Sequence, residues 1–168
     1  MRYITLLSVL TVLFGAGCSE HGLNPDTFKD PGFSGTISFE GAIPPADSLR
    51  DLRVVAVPYY PIDTVFQTII LKIIEGTIPF GENISAKAVS GTSVRYEMQV
   101  KPQTYPYVAV VQQFGADVFS QWKVVSVFGL NKTGTVPGSV LVEDGKVTQN
   151  INFTVDFYNL PPQPFRIP

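Results

Sequence analysis

The chain has one cysteine and one histidine among 168 residues, and only 15% of it is charged. A single thiol rules out an internal disulfide and a cysteine-rich zinc site. The one imidazole, His21, sits near the N-terminus, so a Ser-His-Asp site in the later chain has no base. Lys and Arg number 12 against 14 Asp and Glu, a net charge of −2. Nucleic-acid binders carry a basic surplus, so no nucleic-acid partner is expected. Neither Gly-x-Gly-x-x-Gly nor a Walker pattern is present to cradle a phosphate. Glu143-Asp144 is the only adjacent acidic pair, and it reads as a turn tip rather than a calcium loop. No cofactor or metal is expected, and no enzymatic activity. What the chain does have is 45% hydrophobic and 12% aromatic residues. That composition argues for a packed fold over disorder, and the length suits one domain.

The N-terminus reads as an address. Arg2 is followed by an apolar stretch over residues 4–14 and then by Gly15-Ala16-Gly17. A short positive segment, a short apolar core and small residues before a cut site describe a secretory signal. The stretch is shorter than the roughly 20 residues a spanning helix needs. The lone Cys18 stands directly after the small residues. Ala16-Gly17-Cys18 resembles the lipobox of bacterial lipoproteins, with Gly15 where that family usually has Leu. The resemblance implies cleavage before Cys18 and acylation of its thiol, which anchors the chain to a membrane; two or more acyl chains hold stably. Ser19, not Asp, follows the cysteine, which by the same resemblance implies the outer membrane. The expected division is a signal peptide over 1–17, a lipidated tether over 18–32 and a β-sandwich domain over 33–168. The tether holds Asn24-Pro25 and Asp30-Pro31-Gly32 turns and no regular period. His21 reads as a linker residue.

From residue 33 onward the hydrophobic period is two. Phe33, Ile37 and Phe39 alternate with Ser34, Thr36, Ser38 and Glu40. Val94, Tyr96, Met98 and Val100 alternate with Arg95, Glu97, Gln99 and Lys101. Val147, Ile151, Phe153, Val155 and Phe157 alternate with polar residues in the same way. Each run predicts a half-buried strand. Gly35 within the first marks a weak point, a bulge or a close approach. Residues 52–60 and 107–111 are apolar on both faces and read as central strands. Over 119–130 the pattern puts Trp122, Val124 and Phe128 on one side, Lys123, Val125 and Val127 on the other. Asp144-Gly145 between Val142 and Val147 predicts a type I′ hairpin. The C-terminal run from residue 159 carries four prolines and reads as an extended strip laid over the core edge.

Residues 64–76 admit two readings. Thr64 and Gln67 suit a capping box, Gly76 suits a helix stop, and Val65/Phe66, Ile69/Ile70 and Ile73/Ile74 share a helical face. The run of β-branched side chains favours a strand.

Seven or eight short strands with Gly/Pro turns predict an all-β antiparallel sandwich of immunoglobulin-like or transthyretin-like type. Residues 34–41, 52–57 and 94–115 carry a more particular likeness. Tyr96, Met98, Val100, Pro102, Thr104, Tyr105 and Tyr107 fall in the hairpin frame of the carboxypeptidase-regulatory-like, or transthyretin-like, domain, which the chain resembles over roughly 80 residues. It is also similar to bacterial envelope lipoproteins with such a domain. Gln103 stands where that family often has Gly, and Pro106 is added before the return strand. The resemblance implies a non-catalytic structural or protein-interaction module of the cell envelope, with another envelope protein as partner. A surface lipoprotein that binds a glycan or other ligand is the alternative. For that alternative the candidate residues are Tyr59, Tyr60, Tyr105, Tyr107 and Trp122, with Tyr158, as a stacking platform; equally they suit a buried core. An exposed aromatic strip would favour a glycan, and an open edge strand would favour a protein partner.

Overall fold

The period-two runs become strands in the computed structural model, which describes residues 30–131 and 134–165. The signal segment, Cys18 and most of the tether lie outside the described residues. Among those described there are nine strands and one α-helix. The strands are β1 (Gly32–Glu40), β2 (Asp51–Val57), β3 (Ser93–Gln99), β4 (Gln103–Tyr105), β5 (Tyr107–Gln113), β6 (Trp122–Val127), β7 (Val140–Val142), β8 (Val147–Thr148) and β9 (Phe153–Asp156). The helix α1 is Phe66–Ile74. The fold is all-β, with open, sandwich-like sheets.

β1 holds the first sheet together. It pairs antiparallel with β3 on one side and parallel with β8 and β9 on the other. The expectation of a purely antiparallel sandwich is corrected by these two parallel pairings. They arise because β8 and β9 come back to β1 from the other end of the chain rather than through a hairpin. The second sheet runs β2-β5-β6, all antiparallel. A two-stranded ribbon joins β4 to β7.

Alternation places the core as expected. Phe33, Ile37, Phe39, Tyr96, Met98, Val100, Ile151, Phe153, Val155 and Phe157 all enter one cluster with Leu52, Val54, Val108 and Val110 from the second sheet. The other face of that sheet supplies Val55, Val57, Tyr107, Ala109, Val111 and Val124 to a second cluster beneath α1. β5 is therefore buried on both faces along its whole length. β2 is also covered on both faces, but it lies at the sheet margin, not at its centre.

Residues 66–74 are helical. Tertiary burial of Phe66 and Ile69 against the sheet overrides the β-branched propensity. The predicted capping box does not form, since Val65 is the N-cap and no side chain bonds there. Gly76 does end the helix, at φ 73 with its N–H on Ile73 O. The buried stripe is Phe66, Ile69, Ile70 and Ile73; Val65 and Ile74 turn outward.

Two further expectations are corrected. Asp144-Gly145 is a turn, but its strands separate: β7 joins β4 and β8 joins β1. Gly145 alone of the two has positive φ, at 64°, so the turn is not type I′. In β6 the register jumps from Val111↔Val124 to Val110↔Ser126, leaving Val125 as the extra residue of a bulge. The phase flips there, so Trp122, Val124 and Val127 face the helix side while Val125 and Phe128 face the main core.

Candidate functional site

The candidate aromatics are not brought together into one surface. Tyr105 is fully buried in the main cluster, and its hydroxyl donates to Lys101 O. Tyr107 and Trp122 lie in the second cluster. Trp122 packs edge-on to Phe80 and donates its indole N–H to Val118 O. Tyr59 is half-buried, and Tyr60 is exposed, stacked on Tyr107 at 6.1 Å. Tyr158 is exposed just past the C-terminal end of β9, at the opposite pole from Tyr60. A cavity of about 40 Å³ lies between α1 and the sheet, lined by Val57, Ile70, Phe80, Tyr107 and Phe165 among others. That is room for about a water molecule, far below the several hundred Å³ of an organic-ligand site.

The strand edges are more telling. β2 is covered on its outer side by residues 79–84: Ala56 N bonds Pro79 O, Gly81 N bonds Val54 O, and Ile84 N bonds Leu52 O. β6 is covered by a side chain from the C-terminal strip. The Gln163 amide accepts from Val124 N–H at 2.8 Å and donates to Val124 O at 2.9 Å, standing in for a neighbouring strand. Phe165, two residues on, packs on Phe66 at 4.8 Å. The predicted strip over the core edge is thus present as far as it is described.

β3 has no such cover. Its seven residues pair with β1 alone among the described strands. The bonds Phe39 N to Thr92 O and Val100 N to Pro31 O set the phase of the ladder. Bonded and non-bonded pairs alternate in an antiparallel ladder. The backbone groups of Ser93, Arg95, Glu97 and Gln99 therefore point away from β1. Their side chains are all exposed, while Tyr96 and Met98 anchor the strand inward. An open edge of this length is a template for another strand. Beside it an open groove runs along Pro79, Phe80, Gly81 and Glu82.

Behind this edge β1 is fixed by a bulge between β8 and β9. The partner offset grows by one residue between Phe33↔Thr148 and Ile37↔Phe153. Asn150, at φ 67, absorbs the extra residue. Ile151 then presses its backbone on Gly35, donates to Ser34 O at 3.0 Å, and accepts from the Tyr96 hydroxyl at 2.6 Å. Burial pushes the Tyr96 hydroxyl far above its ordinary range, so it stays protonated and donating. Tyr107 differs: its buried hydroxyl has no hydrogen-bond partner among the described residues. Two phenylalanine substitutions should therefore act in opposite directions. Tyr96→Phe strands the Ile151 carbonyl and should destabilise by about 1–3 kcal/mol. Tyr107→Phe removes an unsatisfied polar group and should stabilise by about 1 kcal/mol. Urea melts of both variants test this, and equal shifts of one sign would refute it.

The main ionic cluster lies at α1. Lys72 donates to Asp63 at 2.7 Å and to the Tyr59 hydroxyl at 3.1 Å. The hydrogen bond from Lys72 holds the Asp63 carboxyl below its ordinary value, and the bond to Asp63 holds Lys72 above its own. A raised amine pKa excludes Lys72 as a base at neutral pH. The Asp63 contribution is complete above its unfolded-state pKa and is lost as pH falls through the depressed folded value. The Lys72 contribution is complete below its unfolded-state pKa and is lost as pH rises through the raised one. A pH series of thermal melts should show the pair weakening below about pH 4 and above about pH 10.5, and Lys72→Met should shrink both flanks, leaving the acid loss from Asp117 and the alkaline loss from Tyr96. Flanks unchanged in Lys72→Met would assign them elsewhere.

No group of three or more His, Cys, Asp or Glu side chains among the described residues could hold a metal. No described helix is long and apolar enough to cross a membrane. No protein-family model, no curated protein and no solved structure matches the chain. The open β3 edge was missed in the sequence; Arg95 and Glu97 hint at solvent exposure but not at which edge is free.

Proposed function

We propose that the protein is a non-catalytic, lipid-anchored component of the bacterial outer membrane that binds another envelope protein along β3. The observation that carries this reading is the contrast between edges: β2 and β6 are covered, whereas among the described residues nothing covers the outward backbone groups of Ser93, Arg95, Glu97 and Gln99 in β3. Strand addition draws affinity from main-chain bonds and specificity from alternate side chains, here Arg95 and Glu97. The charged side chains also keep the edge from pairing indiscriminately. The Gly-Ala-Gly-Cys signal supports acylation of Cys18, and the likeness to carboxypeptidase-regulatory-like domains points to the same accessory role.

A photo-crosslinking residue at Glu97 should trap one defined envelope protein in living cells, while the same probe at Thr154 should not. Glu97→Pro removes an outward N–H without touching the β1 ladder, and should abolish the adduct from a probe at Arg95 with the fold intact. Equal adducts at both positions, or none, would defeat the binding reading. The anchor is tested separately. The intact mass of membrane-extracted protein should show acyl groups on Cys18, and Cys18→Ala should leave the membrane fraction.

A further inference from the structure

The tether enters the fold beside the exposed apolar end of α1. β1 and β5 begin, and β2 and β3 end, at one pole of the domain. Asp30 and Pro31 share an open groove there with Pro58, Glu75, Gly76 and Lys101. The last turn of α1 at this pole exposes Leu71 by 58% and Ile74 by 69%. Tyr60 lies in the loop that follows the end of β2 at the same pole, its hydroxyl bonded to Thr135 O, and Val136 is exposed by 57%. Exposed apolar side chains and a tyrosine with a satisfied polar tip at one pole are the composition that sits at a membrane interface. Lys72 is already paired with Asp63, so Asp30, Asp63 and Glu75 stand against Lys72 and Lys101 and no basic surplus here draws anionic lipid.

We infer that this pole docks on the bilayer, with Leu71 and Ile74 entering the lipid interface. The inference rests on the reading of Cys18 as the point of membrane attachment. Twelve residue steps separate Cys18 from Asp30, a reach of at most about 40 Å. Within that reach a weak insertion becomes an intramolecular event at high effective concentration. The opposite pole also exposes apolar side chains, Val118, Phe119 and Tyr158, but no tether leaves from it. Docking at the α1 pole would hold the β3 edge at the membrane flank and turn the loop of residues 114–121 away from the lipid.

The test uses the chain from Cys18 onward, which holds every residue of both hydrophobic clusters. Its Cys18 thiol is joined to a maleimide lipid in phosphatidylethanolamine–phosphatidylglycerol vesicles. A diazirine side chain is placed in turn at Leu71, Ile74, Phe119 and Tyr158, and lipid adducts are counted by mass. Positions 71 and 74 should give adducts in excess of 119 and 158 by roughly an order of magnitude. A probe at Tyr60 should lose its adducts in the Leu71→Ser/Ile74→Ser double variant while the melting curve is kept. Equal adducts at all four positions, or an excess at 119 and 158, would overturn the inference. The thioether supplies the tether whether or not cells acylate Cys18, so the docking test and the intact-mass test fail independently.

Discussion

Gly35→Ala is expected to cost the domain about 4 kcal/mol or more, at the upper end of single substitutions. The added Cβ would lie 2.0 Å from Ile151 O, 2.5 Å from its carbonyl carbon and 3.0 Å from its nitrogen. All three are backbone atoms, and none can swing aside as a flexible side chain would. Moving Ile151 would break its bond to Ser34 O and the Tyr96 bond to its carbonyl. It would also strain the neighbouring bond from Thr36 N–H to the Asn152 side chain. β8 and β9 would then lose their purchase on β1. Gly91→Ala is the comparison: its φ of 74 carries a conformational penalty, but nothing lies within 4 Å of the added atom. It should cost only about 1 kcal/mol. Urea midpoints of the two variants decide the matter, and a Gly35→Ala midpoint near that of Gly91→Ala would sink the close-packing account.

The second large effect is at the other end of the chain. Phe165→Ala should destabilise by about 3–4 kcal/mol, the usual range for a buried phenylalanine. Phe165 is buried against Phe66 and lines the cavity under α1, so its removal enlarges a void already present. A second consequence follows from position. Gln163 covers the edge of β6 through both groups of Val124, and Phe165 helps seat the strip that carries it. Loosening the strip should expose β6 and raise concentration-dependent self-association, read by light scattering. Gln163→Ala alone should show the association with a smaller loss of stability. A Phe165→Ala protein that melts like the parent and associates no more than the parent does would separate the strip from the core.

Much of the fold was legible in alternation because one face of each outer strand meets the core and the other meets water. Phe33, Ile37 and Phe39 needed no more than that, and Gly35 announced its close approach by lacking a side chain. The doubly apolar run at 107–111 marked β5 for the same reason. What stayed hidden was decided by distant partners. The Val125 bulge exists because β5 and β6 fall out of step, and no local pattern encodes it. Asp144-Gly145 specified a turn but not the sheets its two strands join. The segment at 64–76 carried two compatible local signals, and burial of Phe66 and Ile69 chose between them. Aromatic identity said nothing about exposure at Tyr105, Tyr107 and Trp122. The open edge of β3 depends on the order of strands in a sheet, which only the long-range pairings reveal.

The parallel pairing of β1 with β8 and β9 makes closure of the domain a late event. The first strand of the fold waits for its last two, more than a hundred residues away along the chain. Contacts of such long sequence separation slow folding, because loop entropy is lost before the contacts repay it. A chain delivered from its N-terminus, whether by a ribosome or through a membrane pore, leaves one side of β1 unpaired until residues near 156 arrive. Arrest of delivery before that point would therefore leave an adhesive, unclosed sheet rather than a smaller stable domain.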